Sequence, residues 1–193
     1  MYIQLVSVHG LVRGESVEMR QLAIRAIGEI AARNGAHVLV DEVYLDAAFD
    51  AAPRTAALLG DRFVCTASLT KVYGLSGLRC GWVLADPALV ERMWRLNDLF
   101  GVSQPHAAER LACIALAHLD EIVAGTPERL ARNRALLNAF LARRDDLESM
   151  PSIRGITAFP RLRSGKTEEL NRLLREDYDT SIVPGGWFEM PEH

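Results

Sequence analysis

Two cations lie close together in a loop rich in glycine and hydroxyl groups, SLTKVYGLSGLRCGW, at residues 68–82. The amine of Lys71, in a partly dry pocket lined by glycine, can act as a nucleophile and form a Schiff base with an aldehyde. Arg79, eight positions later, carries a permanent charge and can clamp a phosphate through two parallel hydrogen bonds. The loop therefore suits a ligand that combines an aldehyde with a phosphate.

A carboxylate completes this set of groups. Asp41 follows the apolar run at residues 38–40, where an unpaired charge would be costly. A protonated pyridine nitrogen would remove that cost, and pyridoxal phosphate needs such a carboxylate together with the lysine and the arginine. Alternatively, Asp41 caps the turn that follows it. The nearby acids Glu42, Asp46 and Asp50 are predicted to be solvated in a loop.

Two segments resemble the core of the class I/II aminotransferases, the fold-type I family of pyridoxal-phosphate enzymes. They are VLVDEVYLDAAF, residues 38–49, and the loop at residues 68–82, which stand in register over about forty residues. The resemblance implies an α/β fold, with a partial three-layer, mostly parallel sheet between helices and a small α+β C-terminal domain. It assigns residues 1–125 to the cofactor-binding large domain, 126–150 to a long connecting helix and 151–193 to a partial small domain.

The resemblance also implies a role for each polar residue of the two motifs. Lys71 is the Schiff-base lysine, Ser68 and Arg79 bind the phosphate, Asp41 pairs with the ring nitrogen, and Tyr44 bonds the phenolic oxygen of the ring. The spacings agree, since Tyr44 lies three residues after Asp41. Likewise, Ser68 lies three residues before Lys71. The implied cofactor is pyridoxal 5'-phosphate, with an amino acid and a 2-oxo acid as substrates and a homodimer as the assembly.

Several features of the family have no counterpart in this sequence. The family carries a front half with a glycine-rich phosphate loop and a stacking aromatic, and an Asn-Pro-x-Gly turn where this chain has His9-Gly10. A terminal arginine that holds the substrate carboxylate is also missing. We therefore expect a truncated aminotransferase that uses Lys71. The alternatives are a lyase or synthase of the same family and a catalytically silent fragment.

Helices and strands alternate around the two motifs. Apolar periodicity predicts a helix over Ser16–Arg33, and continuous apolar runs predict buried strands at residues 36–41, 63–66 and 80–85. Ligands of such α/β sheets bind beyond the carboxyl ends of strands, which is where Asp41 and Ser68 fall. The later sequence predicts helices at residues 87–100, 104–122, from 126 onward and 167–178. It also predicts a strand at residues 153–162, with a break at Pro160, and a short strand at residues 180–183.

The composition is that of a soluble globular protein. Hydrophobic residues make up 49% of the 193 residues and the formal net charge is -3, with no charged block that would bind nucleic acid. Cys65, Cys80 and Cys113 are widely spaced, which predicts reduced thiols and no metal site. Because the sequence shows no signal segment and no apolar stretch of ~18 residues, we expect a cytoplasmic protein without membrane contact.

Overall fold

The computed structural model describes most of the chain. The described residues are 3–5, 17–47, 54–149, 151 and 155–188. The chain divides into two compact units, residues 1–127 and residues 128–193. None of the helices within these described ranges combines the length and the apolar content that a membrane crossing demands.

The first unit contains a four-stranded sheet. Its strands are β1 (Ile3–Leu5), β2 (His37–Asp41), β3 (Phe63–Ser68) and β4 (Gly81–Leu84), in the spatial order β1-β2-β3-β4. The first three strands are parallel, and β4 runs antiparallel to β3. The predicted α/β fold with a mostly parallel sheet is therefore confirmed.

One helix covers the sheet where the core of this unit lies. Helix α1 (Val17–Arg33) contributes Ile24 and Ala31 to a buried cluster with alternate residues of β2 and β3. Those strand residues are Val38, Val40, Phe63 and Cys65. The alternation arises because successive side chains of a strand point to opposite faces of the sheet. Gly35, at φ 63°, follows the helix in the left-handed conformation that glycine adopts readily, which is typical of a helix end.

The fourth strand differs from its prediction. The apolar run at residues 80–85 predicts a buried strand, but Val83 and Leu84 are 42% and 41% exposed. Val83 and Leu84 point to opposite faces of the sheet, so neither face of β4 is fully covered by the described part of the chain. Among the described residues β4 is also an edge strand that pairs only with β3. The prediction of a strand is right, and the prediction of its burial is wrong for the described part of the chain.

Three helices follow β4 in the first unit. They are α2 (Pro87–Phe100), α3 (His106–Ala117) and α4 (Leu119–Val123). Asp86 caps α2, since its Oδ1 accepts hydrogen bonds from the backbone N–H groups of Ala88 at 3.0 Å and Leu89 at 3.4 Å. The single helix predicted over residues 104–122 is wrong, because His118, with φ −127° and ψ 27°, leaves the helical conformation and separates α3 from α4.

The second unit is built around two helices and a small ribbon. Helix α5 (Thr126–Leu141) leads into it, and α6 (Thr167–Tyr178) follows the antiparallel pair β5 (Leu147–Glu148) and β6 (Arg161–Leu162). The strand predicted over residues 153–162 is reduced to β6, because Gly155 has φ 82° and Pro160 has no N–H to donate; residues 152–154 lie outside the described ranges. No strand forms at residues 180–183, where the N–H of Ile182 donates to Asn171 Oδ1 at 3.0 Å instead.

We predict that Gly28→Ala destabilises the first unit. A Cβ atom at Gly28 would lie 2.5 Å from Cζ of Phe63, a ring that is only 4% exposed. Crowding in a packed core costs about 1–3 kcal/mol, whereas replacing a helical glycine by alanine gains about 1 kcal/mol, so we expect a net loss of about 1 kcal/mol. Urea unfolding of the full chain measures this loss.

Two variants control the Gly28 experiment. Glu29→Ala changes an exposed neighbour on the same helix and should leave the free energy of unfolding within about 0.5 kcal/mol of the parent. Phe63→Leu shortens the ring side chain, so adding Gly28→Ala to it should cost less than adding Gly28→Ala to the parent chain. Equal costs in both backgrounds would show that the ring is not the obstacle.

Candidate active site

The sheet brings the two sequence motifs to one edge. Asp41, the last residue of β2, pairs with Thr66, and β3 continues from there to Ser68. Because parallel strands end at the same edge of a sheet, the segments that follow Asp41 and Ser68 leave from neighbouring positions. Both polar residues fall at strand ends, as the sequence predicts.

Asp41 combines a turn contact with an exposed carboxylate. Its Oδ1 accepts a hydrogen bond from the backbone N–H of Val43 at 3.1 Å, which orients the side chain at the start of a turn. Oδ1 of Asp41 therefore caps the turn, which is the alternative role that the sequence predicts for this residue. The residue as a whole remains exposed, and Tyr44 follows half-buried in the next turn.

Lys71 sits on a turn whose base is buried. Leu69 has an exposed fraction of 0%, and its N–H donates to the carbonyl oxygen of Cys80 at 3.1 Å. The N–H of Leu75 returns to the carbonyl of Leu69 at 3.0 Å, and the N–H of Gly74 closes the turn on the carbonyl of Lys71 at 3.2 Å. Gly74 has φ 69°, a conformation that favours glycine. These bonds hold the backbone of Lys71 while its side chain stays exposed.

Ser68 lies opposite a glycine that allows a close approach. Its hydroxyl accepts a hydrogen bond from the N–H of Thr70 at 3.3 Å, and its partner in the antiparallel ladder is Gly81. A Cβ atom at Gly81 would lie 3.1 Å from the carbonyl oxygen of Ala67 and 3.4 Å from Cβ of Ser68. The missing side chain therefore lets β4 come close to the hydroxyl-bearing end of β3.

Arg79 adopts an unusual backbone conformation. It follows the 3₁₀ turn Ser76–Leu78 with φ 52° and ψ 30°, in the left-handed region that few non-glycine residues occupy. Its backbone N–H donates to the carbonyl oxygen of Ser76 at 3.3 Å, and its Nη1 reaches the same oxygen at 3.4 Å. Backbone strain of this kind clusters at functional sites. The guanidinium group is exposed and retains donors for an anion.

The prediction that the acidic residues of the first motif are solvated is wrong for Glu42, which is buried, whereas Asp46 is half-buried. Glu42 is 8% exposed, and its Oε1 accepts a hydrogen bond from the N–H of Ala56 at 2.7 Å. Asp46 Oδ2 accepts a hydrogen bond from the hydroxyl of Tyr73 at 2.8 Å. Asp50 lies outside the described residues. Strand alternation could have indicated Glu42, since it follows the exposed Asp41 by one position.

Burial shifts the pKa of two groups near these acids. For Tyr73, burial first, then its hydrogen bond to Asp46 and the charges of Asp46 and Asp120, raise the pKa of the phenol well above its usual value. Burial likewise raises the pKa of the Cys65 thiol to about 11, although a hydrogen bond with Thr55 opposes that shift. Both groups therefore stay protonated at neutral pH.

The described residues supply groups for an organic ligand. The first unit presents an exposed amine, an exposed guanidinium, a hydroxyl and an exposed carboxylate on Lys71, Arg79, Ser68 and Asp41. Within the ranges that the structure describes, no group of three or more His, Cys, Asp or Glu residues is arranged to hold a metal ion. The three cysteines are free thiols.

Comparison with known proteins identifies the family. The chain matches the model of the family "Aminotransferase class I and II" over residues 20–193. This match covers most of the chain, so the chain belongs to that family. The resemblance carried by the two motifs is confirmed, and the match extends across both units.

The relatives are longer than this chain. A capreomycidine synthase from Streptomyces vinaceus is 30% identical over 164 residues, which cover 83% of this chain and 42% of the relative. An aspartate aminotransferase from Streptomyces avermitilis is 28% identical over 184 residues, which cover 87% and 45%. The crystal structure of a PLP-dependent aminotransferase from Streptococcus suis superposes with a TM-score of 0.81 at 25% identity, covering 89% of this chain and 46% of that chain. The chain thus spans less than half the length of these proteins.

We predict that Glu42→Ala destabilises the site end of β2. The substitution leaves the N–H of Ala56, a residue only 2% exposed, without its acceptor, and an unsatisfied buried donor costs about 1–3 kcal/mol. Glu42→Gln keeps an acceptor oxygen and should cost less. Urea unfolding measures the free energy of unfolding of Glu42→Ala and Glu42→Gln, and Glu29→Ala on the exposed face of α1 is the control. If Glu42→Ala and Glu29→Ala unfold at the same urea concentration, the buried hydrogen bond does not stabilise the fold.

We also predict a difference in thiol reactivity. Cys65 is 1% exposed and its pKa is raised to about 11, so its thiolate is scarce at neutral pH, whereas Cys113 is exposed. Iodoacetamide should therefore label Cys113 well before Cys65, as peptide mass spectrometry can measure. The pKa of Cys65 in the folded chain is higher than the ordinary thiol value of 9.0, so the protonated thiol favours the folded state. This contribution to the free energy of unfolding is fully present below pH 9.0 and is lost as the pH rises toward 11. Equal labelling of both cysteines in the folded chain would contradict this prediction.

Proposed function

We propose that this chain carries the lysine site of a pyridoxal-phosphate-dependent aminotransferase, which transfers an amino group between an amino acid and a 2-oxo acid. The observation that carries the proposal is the position of Lys71. Its exposed amine stands on a hydrogen-bonded turn after β3, and the exposed carboxylate of Asp41 ends the neighbouring parallel strand. The family to which the chain belongs supports the same chemistry.

The residue types of the candidate site support pyridoxal phosphate as the cofactor. When bound, pyridoxal phosphate supplies an aldehyde and an aromatic ring that withdraws electrons from the α-carbon of an amino acid. Lys71 would bind the aldehyde, while Ser68 and Arg79 would hold the phosphate. Asp41 would keep the ring nitrogen protonated, since a carboxylate favours a neighbouring positive charge. Tyr44 would donate a hydrogen bond to the phenolic oxygen.

Lys71 would also move the proton in the reaction. When its amine is free, Lys71 would act as a base toward the α-carbon of the substrate. The turn that fixes the backbone of Lys71 leaves the side chain free to take the proton from one carbon and return it to another. The buried Leu69 keeps that turn in place. Lys71 would thus serve first as the attachment point and then as general base and general acid.

A synthase or lyase that uses the same lysine is the second candidate. The identity to the capreomycidine synthase, 30% over 83% of this chain, favours it. Both candidates predict covalent capture of the cofactor by Lys71. They differ in product, because only an aminotransferase leaves the cofactor in the amine form and releases a 2-oxo acid from the amino donor. A catalytically silent fragment would give neither product.

The arrangement of the whole protein is part of this proposal. We assign residues 1–125 to the large domain of the family, residues 126–150 to the connecting segment and residues 151–193 to the small domain. The helix predicted over the whole connecting segment is shorter in the structure, because α5 ends at Leu141 and β5 follows at Leu147–Glu148. The family match across both units supports this assignment. We also propose a cytoplasmic homodimer, and three free thiols are compatible with a reducing compartment.

We predict that borohydride reduction in the presence of pyridoxal phosphate fixes the cofactor on Lys71. The chain contains two lysines, Lys71 and Lys166, so peptide mass spectrometry can assign the label without ambiguity. Lys71→Ala should abolish both the visible absorption band and the label at residue 71. Lys166→Ala is the matched control and should leave both unchanged.

The labelling experiment can also contradict the proposal. Equal labelling of Lys71, Lys166 and the N-terminal amine would indicate nonspecific reaction of amines with the aldehyde. The same conclusion would follow if the absorption band survived in Lys71→Ala. If Lys71 is labelled specifically, incubation with single amino acids separates the candidates. An aminotransferase should release the 2-oxo acid, convert the cofactor to its amine form and release no ammonia, whereas a lyase that releases a 2-oxo acid should also release ammonia and leave the cofactor as the aldehyde.

A further inference from the structure

A hydrogen bond between side chains joins the two motifs. The hydroxyl of Tyr73 donates to Asp46 Oδ2 at 2.8 Å, across 27 positions of sequence. Tyr73 lies two residues after Lys71, and Asp46 lies two residues after Tyr44. The bond therefore links the turn that carries the lysine to the turn that carries the tyrosine.

The Tyr73 end of this bond is anchored in a core. Tyr73 packs on a buried cluster that consists of Leu69, Ala112 and Ala115. Leu69 is the fully buried residue at the base of the Lys71 turn, and the two alanines belong to α3. The ring thus fixes the lysine turn against a helix as well as against the first motif.

The Asp46 end is anchored by backbone hydrogen bonds. Asp46 occupies the short 3₁₀ helix Leu45–Ala47, in which the N–H of Leu45 donates to the carbonyl of Glu42 at 2.9 Å. The N–H of Ala47 donates to the carbonyl of Tyr44 at 3.1 Å, and Ala47 is 3% exposed. Neither end of the bond can move without breaking other contacts, so the bond holds the two turns at a set distance.

The chemistry of the pair favours a persistent contact. A hydroxyl that donates to a carboxylate makes a stronger hydrogen bond than a neutral pair does, and partial burial reduces competition from water. Burial and the carboxylates of Asp46 and Asp120 raise the pKa of Tyr73, so the donor proton is retained at neutral pH.

We propose that Tyr73 and Asp46 are positioning residues that hold Lys71 and Tyr44 at the separation required by one bound cofactor. Neither residue needs to touch the cofactor for this role. The inference rests on the proposed function, because it concerns the distance between the aldehyde-binding amine and the hydroxyl that would bond the ring. It extends that function by adding two residues that bind no ligand themselves.

Tyr73→Phe tests this role in the full chain. The variant keeps the ring in its core and removes the donor, so we expect pyridoxal phosphate to bind Lys71 roughly ten-fold more weakly, as measured by titration of the visible band. Borohydride labelling of Lys166 should not change. Tyr178→Phe, at an exposed tyrosine that is 73% accessible, is the matched control and should bind as the parent does.

Asp46→Asn tests whether Tyr73 and Asp46 act through one hydrogen bond. The amide keeps an oxygen that can accept from Tyr73, so this variant should fall between the parent chain and Tyr73→Phe. Combining the two substitutions should cost no more than Tyr73→Phe alone, because both act through one bond. Full additivity of the two losses, or parent-like affinity in Tyr73→Phe, would overturn the proposal.

Hydrogen exchange separates this proposal from the function on which it rests. In Tyr73→Phe we expect the amides of Ala47 and Gly74, in the two joined turns, to exchange at least several-fold faster than in the parent chain. If Lys71 of the parent chain is not labelled, the proposed function fails. If exchange in both turns is unchanged in Tyr73→Phe, the bond does not hold them and the positioning role fails.

Discussion

The parallel pairing of β2 with β3 is the constraint on which the candidate site depends. Asp41 pairs with Thr66 in this ladder, so both strands end at the same edge of the sheet. The segments that leave this edge carry Tyr44 on one side and Lys71 on the other. The pairing is stabilised by the core beneath it, because each strand directs alternate side chains toward α1. Two motifs that are separate in sequence thereby share one location.

The charged groups with proposed chemistry are exposed, whereas two residues that hold the turns beside them are buried. Lys71 and Arg79 reach solvent, but Leu69 and Glu42 lie in the interior with their polar contacts satisfied. This division follows from what each group must do. A ligand-binding side chain has to be accessible, and a turn keeps its shape only if buried contacts and satisfied backbone groups make other conformations costly.

Local sequence patterns were sufficient where residues interact mainly with their neighbours in the chain. The periodicity of α1 and the bounds of α2 each depend on contacts within a few residues, and the predictions for both helices are confirmed. The two motifs identified the family, because fixed spacings between chemically distinct residues are improbable by chance. The same patterns missed the break at His118, where apolar residues continue but the backbone does not stay helical.

By itself the sequence determined the family, the alternation of helices with strands, and the residues whose types suit the cofactor. Only the tertiary structure decided that Glu42 is buried, that Asp46 accepts from Tyr73, and that β4 is an exposed edge among the described residues. The physical reason is the range of the interactions. Glu42 bonds to a residue 14 positions away and Asp46 to one 27 positions away, and the burial of a strand depends on which other segments pack against it.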